Sequence, residues 1–458
     1  MGERQKDMKQ IQAPPTRPGP MLMAIGPGIV VSGAVIGSGE LINVPLQAAM
    51  FGFTLFWAVI ISSAIKYFLQ IEIGRHCLVH NYTTFQALTG CPGPKFRGVG
   101  WVGILFMFGY TVSLITVAGI LGATAGLLHS LYPIANNPIT SKNIWAVMTF
   151  LIAAAILWRS SYGELEKLVA LLVAGFSLSV VVALFLVKPS ISNIASGLTF
   201  SLGTIDRKAA AFAVISFIGA LGATANDLFT YPYWILEKGY ARHLGHPDTP
   251  GWVQRARGWV RVLKLDTGCA TLLTTVVTAA YFLVGSEVLH QRVQSGEIEV
   301  PGGIEVVKQV SAIFTETYGP GSYGLFMFGA FCTLFSTLVV LAAGTGRMWA
   351  DLFSSMGYLD RNDKQAHRRF TRIIQTLSLF AFLVIELLVT IPAEKRVILG
   401  QYINGLVNTP LIMFAICWMA FRTDRRLRMS WLTATLLLIT VAVILSCLAV
   451  GLYTQGGN

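Results

Sequence analysis

The sequence predicts an all-α membrane protein with about 11 transmembrane helices. Of its 458 residues, 54% are hydrophobic and only 12% are charged, whereas soluble domains carry about 25% charged residues. Eleven stretches of the chain contain the roughly 20 apolar residues that a helix needs to cross a bilayer. Because lipid offers no hydrogen-bond partners, the backbone of these stretches must bond internally, and we expect each stretch to be helical.

The predicted spans divide the chain into a short tail and one membrane domain. Residues 1–20 are polar and proline-rich, and we expect a disordered cytoplasmic tail there. Residues 21–458 form a single transmembrane domain. The first span is too long for the core of a signal peptide and no cleavage site follows it, so we interpret it as a retained helix. The spans lie at about 21–49, 52–74, 99–128, 143–159, 165–187, 209–236, 262–285, 321–346, 373–392, 397–421 and 430–453.

The distribution of basic residues predicts the orientation of the chain. With the N-terminus in the cytoplasm and the C-terminus outside, most of the 34 Lys and Arg residues fall on the cytoplasmic side, which follows the positive-inside rule. We therefore expect an integral protein of the plasma (inner) membrane. The net charge of +12 lies mainly in loops between spans, so it does not indicate nucleic-acid binding. The expected partners are the lipid bilayer and a small cation or small organic solute.

Two spans are interrupted by glycine and polar residues near mid-membrane, and they lie five spans apart. An odd number of helices in a unit inverts the next unit, so we predict two inverted repeats, at about 21–187 and 209–421, with an extra helix at about 430–453. Paired interrupted helices of this kind are the best sequence indication of a transporter's binding site.

The first interruption reads Gly37-Ser38-Gly39-Glu40. Glycine costs a helix about 1 kcal/mol and lets the backbone approach a ligand closely. An ionisable residue such as Glu40 at this depth is costly and usually functional. We predict that these four residues bind substrate. The alternative is that the glycines serve close helix packing and that Glu40 is paired structurally.

The second interruption lies around Asp227 and includes Thr224 and Asn226. Carboxylates from two facing broken helices, together with amide and carbonyl oxygens, suit a hard cation such as Mg²⁺ or Mn²⁺. We therefore predict Glu40 and Asp227 as metal ligands, with Thr224 and Asn226 in the same substrate site. The alternative for Asp227 is a structural pairing with a neighbouring helix.

Two further charges inside spans are candidates for coupling transport to a second ion. Lys66 could extend its ammonium group to the membrane surface, or it could replace a coupling ion. Glu386 could relay protons or ions, or it could be a paired structural group. The chain contains no nucleophile–base pair and no cofactor motif, so we predict neither an enzyme nor a cofactor.

Several segments in the same order resemble the Nramp (natural resistance-associated macrophage protein) family of divalent-metal transporters, over about residues 21–452. The resemblance implies the LeuT-type fold, with a 5+5 inverted repeat plus one extra helix, and alternating access. It adds Gln401 to the candidate substrate-binding residues. The similar segments are Gly26-Pro27-Gly28, Arg368-Arg369-Phe370-Thr371-Arg372, Gln401 with Asn408-Thr409-Pro410, and Arg422-Thr423-Asp424-Arg425-Arg426.

The candidate site departs from the family pattern. Gly37 stands where the family has its metal-binding aspartate, and Glu40 stands where it has an asparagine. The family's Met-Pro-His signature falls approximately on residues 224–226, and Thr116 and Gly119 occupy positions of its acidic proton route. The resemblance therefore predicts a secondary transporter of a divalent metal cation whose metal site is altered.

The same first interruption also supports a rival interpretation. Ile36-Gly37-Ser38-Gly39 resembles the first-helix motif of amino acid/polyamine/organocation transporters, which share the fold. In those proteins the amides of an unwound turn hold a substrate carboxylate. The alternative function is therefore transport of an amino acid or another small organic solute on the same fold.

Overall fold

The computed structural model describes residues 11–37, 39–159, 161–199, 206–299 and 320–456. Within these ranges the chain is helical apart from connecting segments and one antiparallel strand pair, β1 (Lys95–Phe96) and β2 (Val99–Gly100). Nine stretches of the described chain are long and apolar enough to cross a bilayer. The all-α membrane architecture predicted from the sequence is therefore confirmed.

The helices in the first half of the chain follow the predicted spans closely. They are α1 (Pro18–Ala24), α2 (Pro27–Val35), α3 (Val44–Phe51), α4 (Phe56–Ala64), α5 (Tyr67–His80), α6 (Thr84–Leu88), α7 (Trp101–Ser113), α8 (Ile115–Leu131), α9 (Pro138–Arg159), α10 (Tyr162–Val187) and α11 (Ile191–Gly197).

In the rest of the chain, as in the first predicted repeat, the first membrane span is interrupted. They are α12 (Arg207–Ala220), α13 (Ala225–Lys238), α14 (Tyr240–Leu244), α15 (Trp252–Gly285), α16 (Gln291–Gln294), α17 (Pro320–Ser355), α18 (Lys364–Leu388), α19 (Ala393–Ile403), α20 (Thr409–Arg422) and α21 (Trp431–Gly456).

Local sequence signals mark several helix ends. Pro27 occupies the first turn of α2, where a missing backbone N–H costs nothing. Asp206 precedes α12, and its carboxylate accepts a hydrogen bond from the amide of Ala209 at 2.9 Å, as a capping residue does. Gly239 follows α13 with φ of 95°, a left-handed conformation that favours glycine. These signals fix both ends of the second interrupted span.

The chain reverses at Gly52, so the long apolar stretch from α2 to α5 crosses the membrane domain twice. Contacts with α15 show this reversal. Along the first crossing, successive residues contact higher-numbered residues of α15, and along the second crossing they contact lower-numbered ones. In chain order the contacting pairs are Gly28–Asp266, Glu40–Thr278, Phe56–Phe282 and Gly74–Leu263.

The helices form two groups that enclose the centre of the molecule. The interrupted spans α2–α3 and α12–α13 pack with α4, α5 and α15, whereas α8, α9, α17 and α18 pack with one another. Helix α19 contacts both α8 and α12. The interrupted spans therefore lie where the two groups meet.

The segment before α1 lies against the membrane domain where the structure describes it. The main-chain amide of Gln12 donates to the carbonyl oxygen of His243 at 3.3 Å, and the indole N–H of Trp259 donates to the carbonyl oxygen of Gln12 at 3.2 Å. Residues 1–10 lie outside the described residues. The disordered tail over residues 1–20 stays a prediction.

Candidate substrate site

The first interruption follows the end of α2 at Val35. Gly37 lies so close to α17 that a Cβ atom would overlap the hydroxyl oxygen of Thr337, so only glycine fits there. Ser38, predicted to bind substrate, lies outside the described residues. The helix resumes as a π-helical turn over Gly39–Asn43. The interruption predicted from the glycines is thus present at the predicted position.

Glu40 holds this interruption together. Its side chain is fully buried. One carboxylate oxygen accepts a hydrogen bond from the amide of Gly37 at 2.9 Å, and the other accepts one from the hydroxyl of Thr278 on α15 at 3.1 Å. The carboxylate therefore points toward its own backbone and α15.

The second interruption lies between α12, which ends at Ala220, and α13. Gly222 has φ of 61°, and a Cβ atom there would lie 2.5 Å from the carbonyl oxygen of Ser63. A side chain at this position would be both strained and sterically blocked. A Cβ built on Gly39 would lie 3.3 Å from the carbonyl oxygen of Ala220. The backbones of the two interruptions thus come into close contact.

Asp227 closes the first turn of α13. One of its carboxylate oxygens accepts hydrogen bonds from the amide of Thr224 at 3.0 Å and from its hydroxyl at 2.7 Å. The Thr224 hydroxyl in turn accepts a bond from the Asp227 amide at 3.3 Å. This is a capping box. The structural partner of Asp227 is therefore Thr224, at the start of the same helix. The alternative from the sequence placed that partner on a neighbouring helix.

A cavity lies between the two interruptions. It brings together five of the predicted substrate-binding residues: Gly39, Thr224, Asn226, Asp227 and Gln401. Gly37 and Glu40 are not among the described lining residues. Asp227 is therefore the acidic residue of the described lining, and Glu40 lies behind it. The other polar residues at the cavity wall are Tyr110, Ser113, Thr116, Thr337 and Asn404.

Asn226 presents an unused acceptor near Asp227. Its side-chain oxygen is buried and has no hydrogen-bond partner in the described part of the chain. A buried polar atom without a partner indicates a bound water or ion. Among the described residues, no group of three or more His, Cys, Asp or Glu is arranged to hold a metal ion. Ligation here would therefore depend on amide, hydroxyl and carbonyl oxygens beside one carboxylate.

An amide network at the cavity wall was not predicted from the sequence. The side-chain amide of Asn43 donates to the side-chain oxygen of Gln401 at 2.9 Å and to the hydroxyl of Ser216 at 2.7 Å. Asn404 donates to the carbonyl oxygen of Gly219 at 2.9 Å. These bonds join both interruptions to α19. The available signal was the presence of isolated amides within apolar spans.

Lys66 lies between α4 and α5 and is buried, with 1% of its surface exposed. Its ammonium group donates to the carbonyl oxygens of Ile218 and Leu221, the latter at 2.7 Å. The alternative in which Lys66 extends to the membrane surface is therefore wrong, because the second interruption supplies its partners. A role of Lys66 in ion coupling stays a prediction. The ammonium group also interacts electrostatically with Asp227 and Glu40.

Glu386 is separated from this group and forms an ion pair with Arg396. Its carboxylate packs so closely on Gly122 of α8 that a Cβ atom there would overlap it. The structure thus supports the paired structural role. A role of Glu386 in proton or ion relay stays a prediction.

Asp266 fastens the start of α2 to α15. Its carboxylate accepts hydrogen bonds from the amides of Gly26 at 2.8 Å and Gly28 at 2.7 Å, and from the hydroxyl of Tyr231 at 2.9 Å. An acidic group is stabilised at a helix N-terminus. Asp266 was not predicted as a functional residue, although its carboxylate within the predicted span 262–285 was a signal for one.

Comparison with known proteins agrees with the fold. Residues 28–454 match the family model described as Natural resistance-associated macrophage protein-like (Nramp). The divalent metal cation transporter MntH of Caldanaerobacter subterraneus subsp. tengcongensis is 24% identical over 272 residues, which are 59% of each chain. MntH of Mycobacterium tuberculosis H37Rv is 23% identical over 276 residues, 60% of each chain. Both matches span less than two thirds of the relatives' length.

Two solved structures share the architecture over nearly the whole chain. A variant of the Eremococcus coleocola manganese transporter has a TM-score of 0.64 at 16% identity, covering 97% of this chain and 96% of that one. MhsT in complex with L-phenylalanine has a TM-score of 0.58 at 14% identity, covering 97% and 99%. At these identities the likeness shows the fold alone, and it confirms the predicted LeuT-type inverted repeat. The chain therefore belongs to the Nramp family and is an integral membrane protein.

Proposed function

We propose that this chain is a secondary transporter that moves a divalent metal cation across the membrane by alternating access. The observation that carries the proposal is the cavity between the two interruptions. The carboxylate of Asp227 and the unpartnered side-chain oxygen of Asn226 both lie at its wall. The names of the MntH relatives support the same substrate class.

The lining favours a hard cation such as Mg²⁺ or Mn²⁺. The polar atoms described at the wall belong to carboxylate, carboxamide, hydroxyl and backbone groups, which suit hard cations. Mg²⁺ gives up its water reluctantly and usually keeps several water ligands. We therefore expect the bound ion to keep part of its water shell. We propose Asp227 and Asn226 as the side chains that contact it.

Glu40 enters the proposal in a different role. Its two carboxylate oxygens accept bonds from Gly37 and Thr278, and Glu40 is not among the described residues that line the cavity. We propose that Glu40 is a positioning residue that fixes the backbone around Gly37 and Gly39. Its assignment as a metal ligand stays a prediction.

We further propose a plasma (inner) membrane location, with the N-terminus in the cytoplasm and the C-terminus outside. The excess of Lys and Arg on one side of the predicted spans supports this orientation. The repeats then extend over about 21–187 and 209–421, and the extra helix over about 430–453 would lead to the outer side. The lipid bilayer is the surrounding partner.

A thermal-stabilisation screen of the purified protein tests the proposed substrate class. We expect MnCl₂ or MgCl₂ to raise the melting temperature in a saturable manner, because a ligand that binds only the folded state stabilises it. L-amino acids should have no such effect. Asp227→Asn should lower the metal affinity by about 100-fold or more, since even indirect partners of metal ligands change affinity by about 10–100-fold.

Asp206→Asn is the matched control for this screen, because Asp206 caps α12 at an exposed position and asparagine caps equally well. It should respond to metal as the unmodified protein does. Stabilisation by an amino acid with no response to any divalent ion would instead support the organic-solute alternative and overturn the proposal.

A further inference from the structure

A second cation position lies beside the cavity, at the end of α12. The last carbonyl groups of a helix lack intrahelical partners and carry partial negative charge. At this end the carbonyl oxygens of Ile218 and Leu221 converge on one point. That point is occupied by the ammonium group of Lys66.

The backbone is closely packed around the Lys66 ammonium group. Gly222 turns away from α12 with φ of 61° and lies directly against the carbonyl groups of Ser62 and Ser63, at the end of α4. Lys66 lies three residues after Ser63 in the chain and is buried. The ammonium group therefore joins the second interruption to the junction between α4 and α5.

A cation at this point also interacts favourably with two buried carboxyl groups. Glu40 and Asp227 are both buried, and both interact electrostatically with Lys66. Burying charge without a counter-charge or hydrogen bonds is costly. Lys66 supplies this cation without any free ion.

A small cavity lies beside the same point. It is bordered by α4, α12 and the extra helix α21, and Lys66 and Ile218 are among its lining residues. The remaining wall is mostly apolar, including Ile61, Val214 and Val443. A small cation with a short alkyl chain would match this combination of apolar wall and carbonyl end.

We propose that the carbonyl oxygens of Ile218 and Leu221 form a site for a monovalent cation, which Lys66 fills permanently as a tethered ammonium ion. The protein therefore needs no free monovalent cation at this position, and removal of the lysine side chain creates a requirement for one. This inference goes beyond the proposed function, because it concerns a position outside the substrate cavity and holds whichever solute is moved.

The test replaces the tethered ammonium with a free one. Purified Lys66→Ala is melted in propylammonium chloride, KCl or N-methylglucamine chloride at equal ionic strength, without divalent ions. We expect a melting temperature below that of the unmodified protein in N-methylglucamine, and a saturable rise of several degrees in propylammonium. The KCl samples show whether charge alone suffices or whether N–H donors are required.

Two variants serve as controls. Lys66→Met fills the space of the aliphatic chain and leaves no room for propylammonium, so its melting temperature should be the same in propylammonium and in N-methylglucamine. Ser63→Ala removes a hydroxyl that bonds only within α4, to Val59 at 2.8 Å, and should show no preference among the salts.

The proposal is overturned if Lys66→Ala folds and melts identically in all three salts, or if Lys66→Met responds to propylammonium equally well. It is also overturned if Lys66→Ala fails to fold even with propylammonium present during purification, because a free cation then cannot replace the tethered one. Since the assay contains no transported metal, failure of the metal-transport proposal leaves these outcomes unchanged.

Discussion

Glu40 and Asp227 are buried carboxylates at corresponding interruptions, but their contacts differ. Asp227 bonds within its own helix turn and also faces the cavity, whereas Glu40 bonds to Gly37 and to α15. The sequence could predict that both lie at interruptions. It could not predict the direction of the Glu40 side chain, because its partner Thr278 is 238 residues away.

Glu40→Gln separates a positioning role from direct ligation. Glutamine keeps one acceptor oxygen for the amide of Gly37, and its NH₂ group can only donate to the Thr278 hydroxyl, so two charge-assisted bonds become weaker neutral ones, at a cost of about 1–2 kcal/mol. We expect a melting temperature lower by a few degrees and a metal-induced shift that persists. An unchanged melting temperature together with loss of the metal response would identify Glu40 as a ligand instead.

At the scale of elements, glycines predicted the interruptions well, because glycine weakens a helix whichever element packs against it. Gly37 permits contact with α17, and Gly222 adopts a left-handed turn. The π-helical turns over Gly39–Asn43 and Asn404–Asn408 were not predicted, because a widened turn depends on side chains supplied by other helices. Lys66 illustrates the same limit, since its carbonyl partners come from a distant span.

At the scale of the whole molecule, two packed groups of helices meet at the interrupted spans and enclose the cavity. The helical spans and the LeuT-type inverted repeat were predictable, because the bilayer sets span length and an odd repeat reverses direction. The positions of Asp266 and the amide network were not, since they depend on which helices become neighbours.

The proposed orientation predicts the location of the C-terminus. In a bacterial host, alkaline phosphatase fused after residue 458 should be active, because the enzyme folds only outside the cytoplasm, and a green fluorescent protein fusion at the same point should be dark. A fluorescent C-terminal fusion with inactive phosphatase would reverse the proposed orientation.

Uptake of Mn²⁺ and Mg²⁺ into proteoliposomes tests the central claim most directly. The unmodified protein and Asp206→Asn should accumulate at least one of these ions saturably, whereas Asp227→Asn, reconstituted at the same density, should show uptake no faster than empty liposomes. Divalent uptake by Asp227→Asn equal to that of the unmodified protein would contradict the account, as would accumulation of a labelled amino acid with no divalent uptake.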